Sequence, residues 1–489
     1  MGQRAIILDP RDSVATLLAD AAVGEEVAGV AAREPIPRGH KLALRPVAAG
    51  EAVVKYGAPI GRATRAIAPG EHVHSHNLAT ALGGEADYRW HPAAVPVPAI
   101  GPTPTFRGYP RPDGRVGTRN EIWILPTVGC VARTAQRIAQ QAAPLVAGLV
   151  DGVHAFSHPF GCSQLGDDLD ATRAILAGLA SHPNAGGVLL IGLGCEENQL
   201  DDLLAAIPAQ RRPLIRAIGT QWADDEQADG VAAVVELARA AQAERIEVGL
   251  DRLVLGVKCG GSDGLSGLTA NPLVGRMTDR VVAAGGTAIL TEIPEIFGAE
   301  QLLMDRAADR TVFDGIVDVV NGFKRYFLAH GQPVSENPSP GNVAGGITTL
   351  EEKSLGAVQK GGHAAIADVR RYGEPVRRAG LTLLEAPGND AVSSTALTAA
   401  GATAILFTTG RGTPLGFPAP TVKIASNTGL AQRKPGWIDF DAGQVLDTGL
   451  DAAAEALLAR VLAIASGEPT AAERNGEREI ALWKRGVTL

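Results

Sequence analysis

Cysteine is scarce in this chain, four in 489 residues. That density excludes a disulfide-stapled scaffold, and the spacing lacks the close C-x-x-C pairs of a zinc ribbon or finger. Aromatic residues make up only 4%, and no apolar run approaches the ~18 residues of a membrane span. The net charge is −8 and no basic stripe is present, which argues against nucleic acid as a partner. The opening Met1 to Asp9 segment reads as a first strand without the apolar core of a signal peptide, so a cytoplasmic, reducing location is expected. Mild acidity also means that an anionic substrate needs local Arg, Lys or metal to hold it.

At this length one hydrophobic core stops growing, so several domains are expected. Residues 1–95 give short alternating runs broken by Gly and Pro, the pattern of a small β domain. A Pro-rich linker follows over 96–110, with Pro92, Pro96, Pro98, Pro102 and Pro104 in and beside it. From there apolar runs alternate with helical stretches, predicting α/β regions over 111–248 and 249–489 with largely parallel sheets. Helices are predicted over Thr134 to Val150, Leu169 to Ser181, Glu226 to Arg245 and Asp451 to Ala465.

The four cysteines recur in one kind of place. Cys130, Cys195 and Cys259 each end a short apolar run that reads as a buried parallel strand, and Cys162 closes a more polar segment beginning at His154. Open α/β sheets bind ligands at the carboxyl ends of their strands. The spacing therefore predicts that the thiols converge on one sheet edge, where they suit iron or zinc or simply line a site. A single free cysteine is ordinarily a small core hydrophobe, and only the repeated strand-end placement lifts these above that reading.

Polar loops follow other strands. Ser262, Asp263, Thr269 and Asn271 lie in a glycine-rich segment after Cys259, where they can hydrogen-bond hydroxyls and suit a polyol. Asn342 and Lys353 lie in later loops, and Arg411, on the turn Gly410-Arg411-Gly412, suits bidentate grip of a carboxylate. Ile191-Gly192-Leu193-Gly194 resembles a nicotinamide-binding turn, but Glu197 occupies the place of the third glycine, so a dehydrogenase is disfavoured.

Several long strings together resemble the altronate/galactarate dehydratase family over essentially the whole chain. They are Gly114 to Cys130, which contains Arg119 and Asn120, His158 to Asp168, the Cys195 and Cys259 loops, Thr291 to Gln301, the Asn342 and Lys353 loops, and Trp437 to Gly443. The resemblance implies a small N-terminal β-clip (SAF-type) domain, two α/β regions, and an Fe2+- or Mn2+-dependent removal of water from a small-molecule sugar acid. Glu71-His72-Val73-His74-Ser75-His76-Asn77 matches the altronate branch, which implies D-altronate as substrate and 2-dehydro-3-deoxy-D-gluconate as product. Galactarate or a related hydroxy acid is the alternative, and a non-catalytic sugar-acid binder is the competing class. A homodimer is expected.

Such a reaction removes a proton α to a carboxylate and expels a β-hydroxyl, so it needs stabilisation of an enediolate-like species and help for the leaving group. Cys130, Cys162, Cys195 and Cys259 are the candidate metal ligands, as a mononuclear iron site or an iron–sulfur cluster. His74, His76, His158, Lys353 and Arg411 are the candidate catalytic groups, with His72 on the same face if the segment is a strand and Lys423 a weaker candidate base. Arg119, Asn120, Ser262, Asp263, Thr269, Asn271, Asn342 and Arg411 are the candidate substrate contacts.

Overall fold

The computed structural model describes residues 3–93 and 103–489. Residues 5–79 form a small all-β unit of short antiparallel sheets, one ordered Ala5–Ile6, Val14–Leu17, Lys41–Ala43, His72–Val73 and another Ala52–Lys55, Ala58–Ala63, Leu78–Ala79. Pro96, Pro98 and Pro102 of the expected linker lie outside the described residues. The second half of that span is no spacer, because Thr105–Pro110 is a strand paired antiparallel with Ile246–Gly249.

The next region carries a four-stranded parallel sheet in the order Gly152–Ala155, Glu121–Pro126, Ala185–Gly192, Ile215–Gly219. Two-residue periodicity sends Ile122 and Ile124 to one face, where they join Ile138, Val234 and Leu237 of the helices Ala132–Ala142 and Glu226–Ala240. Trp123 and Leu125 face the other way, into the large core shared with helix Asp167–Ala180 and the last region. The first of those helices is shorter than predicted, because Pro144 stops it and a 3-10 turn, Ala143–Leu145, follows.

A seven-stranded parallel sheet forms the last region, ordered Ile366–Arg370, Gly380–Leu384, Thr287–Leu290, Val254–Cys259, Ala404–Thr409, Thr421–Ala425, Phe440–Asp441. The chain leaves Val254–Cys259 toward Thr287–Leu290 on one side, and Ala404–Thr409 later fills the other side. This reversal opens a crevice at the carboxyl ends of the two central strands, the usual ligand position in such sheets. No helix among the described residues is long and apolar enough to cross a membrane.

Candidate functional site

A cavity of about 390 Å³ lies at that crevice, lined by Gly260, Gly261, Glu295, Asn337, Asn342, Lys353 and Asp390 among others. Its size is that of a small-ligand pocket. A Cβ at Gly260 would stand 2.7 Å from both Asp390 Oδ2 and Phe407 Cζ, so a side chain here would push the Asp390 carboxylate from its place at the strand end.

Buried charge is concentrated beneath this cavity. Lys258, on the central strand, lies 2.6 Å from Asp390 Oδ1 and 3.0 Å from Glu292 Oε1. Lys360 Nζ is 2.8 Å from Cys259 Sγ and 3.3 Å from Glu292 Oε2. Lys353 Nζ is 2.9 Å from Glu295 Oε1 and donates to Asn337 Oδ1 at 3.0 Å. Glu292 holds the left-handed conformation, φ 69°, which is costly for a residue with a side chain and marks a position imposed by its surroundings. That backbone twist brings its carboxylate to the Cys259 amide, which donates to Oε2 at 2.9 Å. Burial opposes the charge on Lys353, but Glu295 and Cys259 beside it outweigh that effect and hold its ammonium above the ordinary lysine range.

Helix Leu350–Ala357 couples this wall to the β unit. Successive helical side chains turn about 100°, so Glu351 accepts from the Ala81 amide at 2.7 Å, Glu352 meets Lys41 and Lys55 at 2.8 and 2.9 Å, and Lys353 turns to the cavity. All three are buried. The two lysines hold Glu352 far down, to about 2, although burial alone would raise it.

The β unit thereby presents a histidine cluster against the turn after Asn342. Ring centroids of His40 and His72, His40 and His74, and His72 and His76 stand 5.0, 5.1 and 5.6 Å apart. His74 Nε2 lies 3.0 Å from the Val343 carbonyl, while the adjacent Asn342 lines the cavity. Burial, followed by the neighbouring imidazoles, depresses His40 to about 4 and His72 to about 3, so both are neutral near pH 7.

Sequence profiles place this arrangement in a family. The segment 3–81 matches the altronate/galactarate dehydratase SAF domain, 108–242 the second domain of D-galactarate dehydratase/altronate hydrolase, and 250–488 the C-terminal domain of D-galactarate/altronate dehydratase. The chain belongs to this family. It is 50% identical to an altronate dehydratase of Escherichia coli over 98% of both chains, and 45% identical to one of Bacillus subtilis over 99% of both. A galactarate dehydratase (L-threo-forming) of Escherichia coli is 34% identical, with 89% of this chain and 87% of that one covered.

The structure corrects the picture of one four-thiol centre. Cys130, Cys162 and Cys195 are exposed at the strand ends of the four-stranded sheet, whereas Cys259 is buried in the seven-stranded sheet. Sulfur and carboxylate atoms of Cys259, Glu292 and Glu295 lie within 4.8 Å of one another. This trio does not fit a divalent cation. Lys258, Lys353 and Lys360 already pair with it, and burial followed by Glu292 pushes the thiol up to about 12, far from the thiolate a metal needs. The histidine cluster fits in kind, because neutral imidazole is the metal-binding form and suits iron.

Other predicted residues turn out to hold the framework. Arg119 is buried, pairs with Glu473 at 2.8 Å and borders a different cavity, of about 650 Å³, between the four-stranded sheet and the C-terminal tail. Although larger, that cavity has most of its charged lining tied up in ion pairs, Arg119 with Glu473, Arg478 with Glu121 and Glu473, and Arg245 with Asp151. Asn120 bonds Arg111 and the Ala241 carbonyl. Both ring nitrogens of His158 meet backbone, the Pro126 carbonyl and the Phe160 amide. Thr269 donates to Ser426 O, Asn271 bridges Gly356 O and Thr408, and Asp263 collects Ser266, Ser426 and Asn427. The Ser262 carbonyl accepts from Asn342. Lys423 Nζ donates to the Thr413 carbonyl at 3.3 Å, beneath the strand end.

Arg411 is exposed, its Cβ 3.3 Å from where a Gly261 Cβ would sit, at the cavity rim. The histidines are gathered by a turn, because the strand holding His72 stops at Val73. Sequence reasoning missed His40, Lys258, Glu292, Glu295, Lys360 and Asp390. A lysine inside the apolar run Val254–Cys259 was the one visible signal, since charge in a buried strand demands a partner.

Proposed function

We propose that the protein is a hydro-lyase that removes water from D-altronate to give 2-dehydro-3-deoxy-D-gluconate, working in the cavity between Lys353, Glu295, Asp390 and Asn342. The relatives named altronate dehydratase, at 50% and 45% identity over nearly the full length, support this reading most strongly. The paired lysines and carboxylates at the strand ends supply the matching chemistry.

In this mechanism the substrate carboxylate lies toward the Lys353 ammonium, which offsets the negative charge that builds as the C2–H bond breaks. Glu295 takes the C2 proton, the electron pair forms the C2–C3 double bond, and the C3–O bond breaks as the departing hydroxyl takes that proton back from Glu295 and leaves as water. The resulting enol takes a solvent proton at C3 and becomes the 2-keto acid. Asn337 and Asn342 orient hydroxyls, and Arg411 closes on the carboxylate from the rim. His40, His72, His74 and His76 would hold the divalent ion, iron(II) in preference to manganese(II), which when bound supplies Lewis acidity to the substrate. The acid is a small-molecule substrate that enters from solvent.

Purified protein supplied with iron(II) and D-altronate is expected to yield a 2-keto-3-deoxy acid, read as its thiobarbiturate adduct. In deuterated water the product carries solvent deuterium at C3. Absence of the adduct would overturn the proposal.

A further inference from the structure

Asp390 lines the cavity but takes no part in the dehydration steps. It ends an alternating row of charges, with Lys360 3.3 Å from Glu292, Glu292 3.0 Å from Lys258, and Lys258 2.6 Å from Asp390 Oδ1. The first three side chains are at most 1% exposed, whereas that of Asp390 is 35% exposed. The row therefore presents its negative end to the cavity. Asp390 Oδ2 accepts no hydrogen bond from the described residues, so the carboxylate keeps an acceptor free for a ligand. The residue also opens the helix Asp390–Ala399, whose amino end favours negative charge.

The loop before that helix sets how far this carboxylate stands from the reacting end. A Cβ on Gly388 would lie 3.1 Å from Glu295 Oε1, so residue 388 is packed against the proposed base. Asn389 is extended, at φ −65° and ψ 123°, and its side chain caps the helix by accepting from the Ala391 and Val392 amides. Two residues of extended chain advance at most about 7 Å. That is comparable with the reach from C2 of an extended six-carbon acid to the oxygen on C6. The charge balance agrees. Lys353 is matched by Glu295, Lys258 by Glu292 and Asp390, and Lys423, beneath the strand end, spends its ammonium on the Thr413 and Leu415 carbonyls. Arg411 at the rim has no acidic partner among the described residues. One unmatched cation at the cavity suits one substrate carboxylate.

We propose that Asp390 is the residue that makes this site select a sugar monoacid over the corresponding diacid. The inference rests on the dehydratase reading above, which puts C2 at Glu295 and the substrate carboxylate at Lys353 and Arg411. Asp390 then meets the far end of the chain. A C6 hydroxyl donates to Oδ2, whereas a C6 carboxylate meets a like charge and leaves Oδ2 without its donor. Discrimination by a repulsive element is stronger than loss of one attractive contact, because the wrong ligand is opposed and not merely unrewarded. Lys258 and Glu292 act as positioning residues, since their pairing holds the Asp390 carboxylate at the strand end.

The test titrates full-length, iron(II)-loaded protein calorimetrically with ligands that lack the C3 hydroxyl and so cannot be dehydrated. They are the 3-deoxy derivative of D-altronate, the matching diacid with a carboxylate at C6, and the C6 amide of that diacid, which has the same shape without the charge. Wild type is expected to bind the monoacid at least ~10-fold more tightly than the diacid, a figure reduced for the compensating lysine beside Asp390. The amide is expected to bind wild type much as the monoacid does. Asp390→Asn keeps the shape and leaves Lys258 its Glu292 partner, and is expected to lose most of the discrimination against the diacid. Equal affinity of wild type for monoacid and diacid, an amide rejected as strongly as the diacid, or an unchanged ratio in folded Asp390→Asn would each overturn the proposal. The amide arm uses wild type alone, so it decides the matter even where the variant does not fold. No arm needs turnover: selection at C6 in a protein that does not dehydrate D-altronate would overturn the reaction and leave this subsite, and dehydration without selection would do the reverse.

Discussion

Glu352 and Lys353 are consecutive residues that serve opposite sides of one helix. Glu352 receives Lys41 and Lys55 from the β unit, whereas Lys353 reaches Glu295 on the cavity wall. The seating of the β unit and the position of a cavity ammonium are thus set by the same turn of helix.

Glu352→Gln therefore strands two buried ammonium groups. It is expected to destabilise the protein by about 3–5 kcal/mol, the usual cost of breaking a buried pair by removing one partner. Denaturant unfolding with an unchanged midpoint would contradict this.

The same carboxylate gives a pH dependence whose sign is fixed. Its folded value lies near 2, below its ordinary 4.5, so its stabilising contribution is complete above the ordinary carboxylate range and drains away as pH falls from there toward about 2. The wild-type unfolding midpoint should decline through that window. Glu352→Gln should show a shallower decline, and an equal slope in the two proteins would rule out Glu352 as its source.

Glu295→Gln keeps the shape of the cavity wall but removes the proposed base. Turnover is expected to fall by about 10²- to 10⁴-fold, the ordinary share of general base catalysis, while metal content stays near wild type. Turnover within a factor of two of wild type would take Glu295 out of the mechanism.

Arg411→Lys retains charge at the rim and loses the planar fork. A bidentate contact to the substrate carboxylate predicts a loss of about 1.5–3 kcal/mol in kcat/KM, with the melting temperature unchanged because the side chain is exposed. Unaltered kinetics would make Arg411 a plain loop residue.

Replacing His72 by Ala removes an imidazole from the centre of the histidine cluster. The affinity for iron(II), measured by equilibrium dialysis, is expected to drop at least ~10- to 100-fold, since even outer partners of metal ligands are worth that much. Full retention would move the divalent ion elsewhere.

Much of the scaffold was legible because buried parallel strands write themselves as short apolar runs. Val254–Cys259 and Ala404–Thr409 are fully or nearly fully covered, and the strand-end position of Cys259 follows from that pattern alone. The sheet boundary was hidden. The interval from Cys195 to Cys259 resembles two further strand-helix units, but it contains the antiparallel Ile246–Gly249 strand, after which a new sheet begins. The site was legible only in part because its ion pairs join distant segments, with Glu352 meeting Lys41 and Lys55, and Lys353 meeting Glu295. His40 shows the same limit, since it joins the histidine string from 32 positions away through sheet pairing. Polar residues such as Thr269 and Asn271, which suit a polyol by composition, are used up by partners inside the fold.

The assignment of the substrate rests most directly on a comparison of kcat/KM for D-altronate and galactarate with iron(II)-loaded protein under identical anaerobic conditions. The account predicts a strong preference for D-altronate, with 2-dehydro-3-deoxy-D-gluconate as its product. A preference for galactarate, or no conversion of D-altronate, would contradict it.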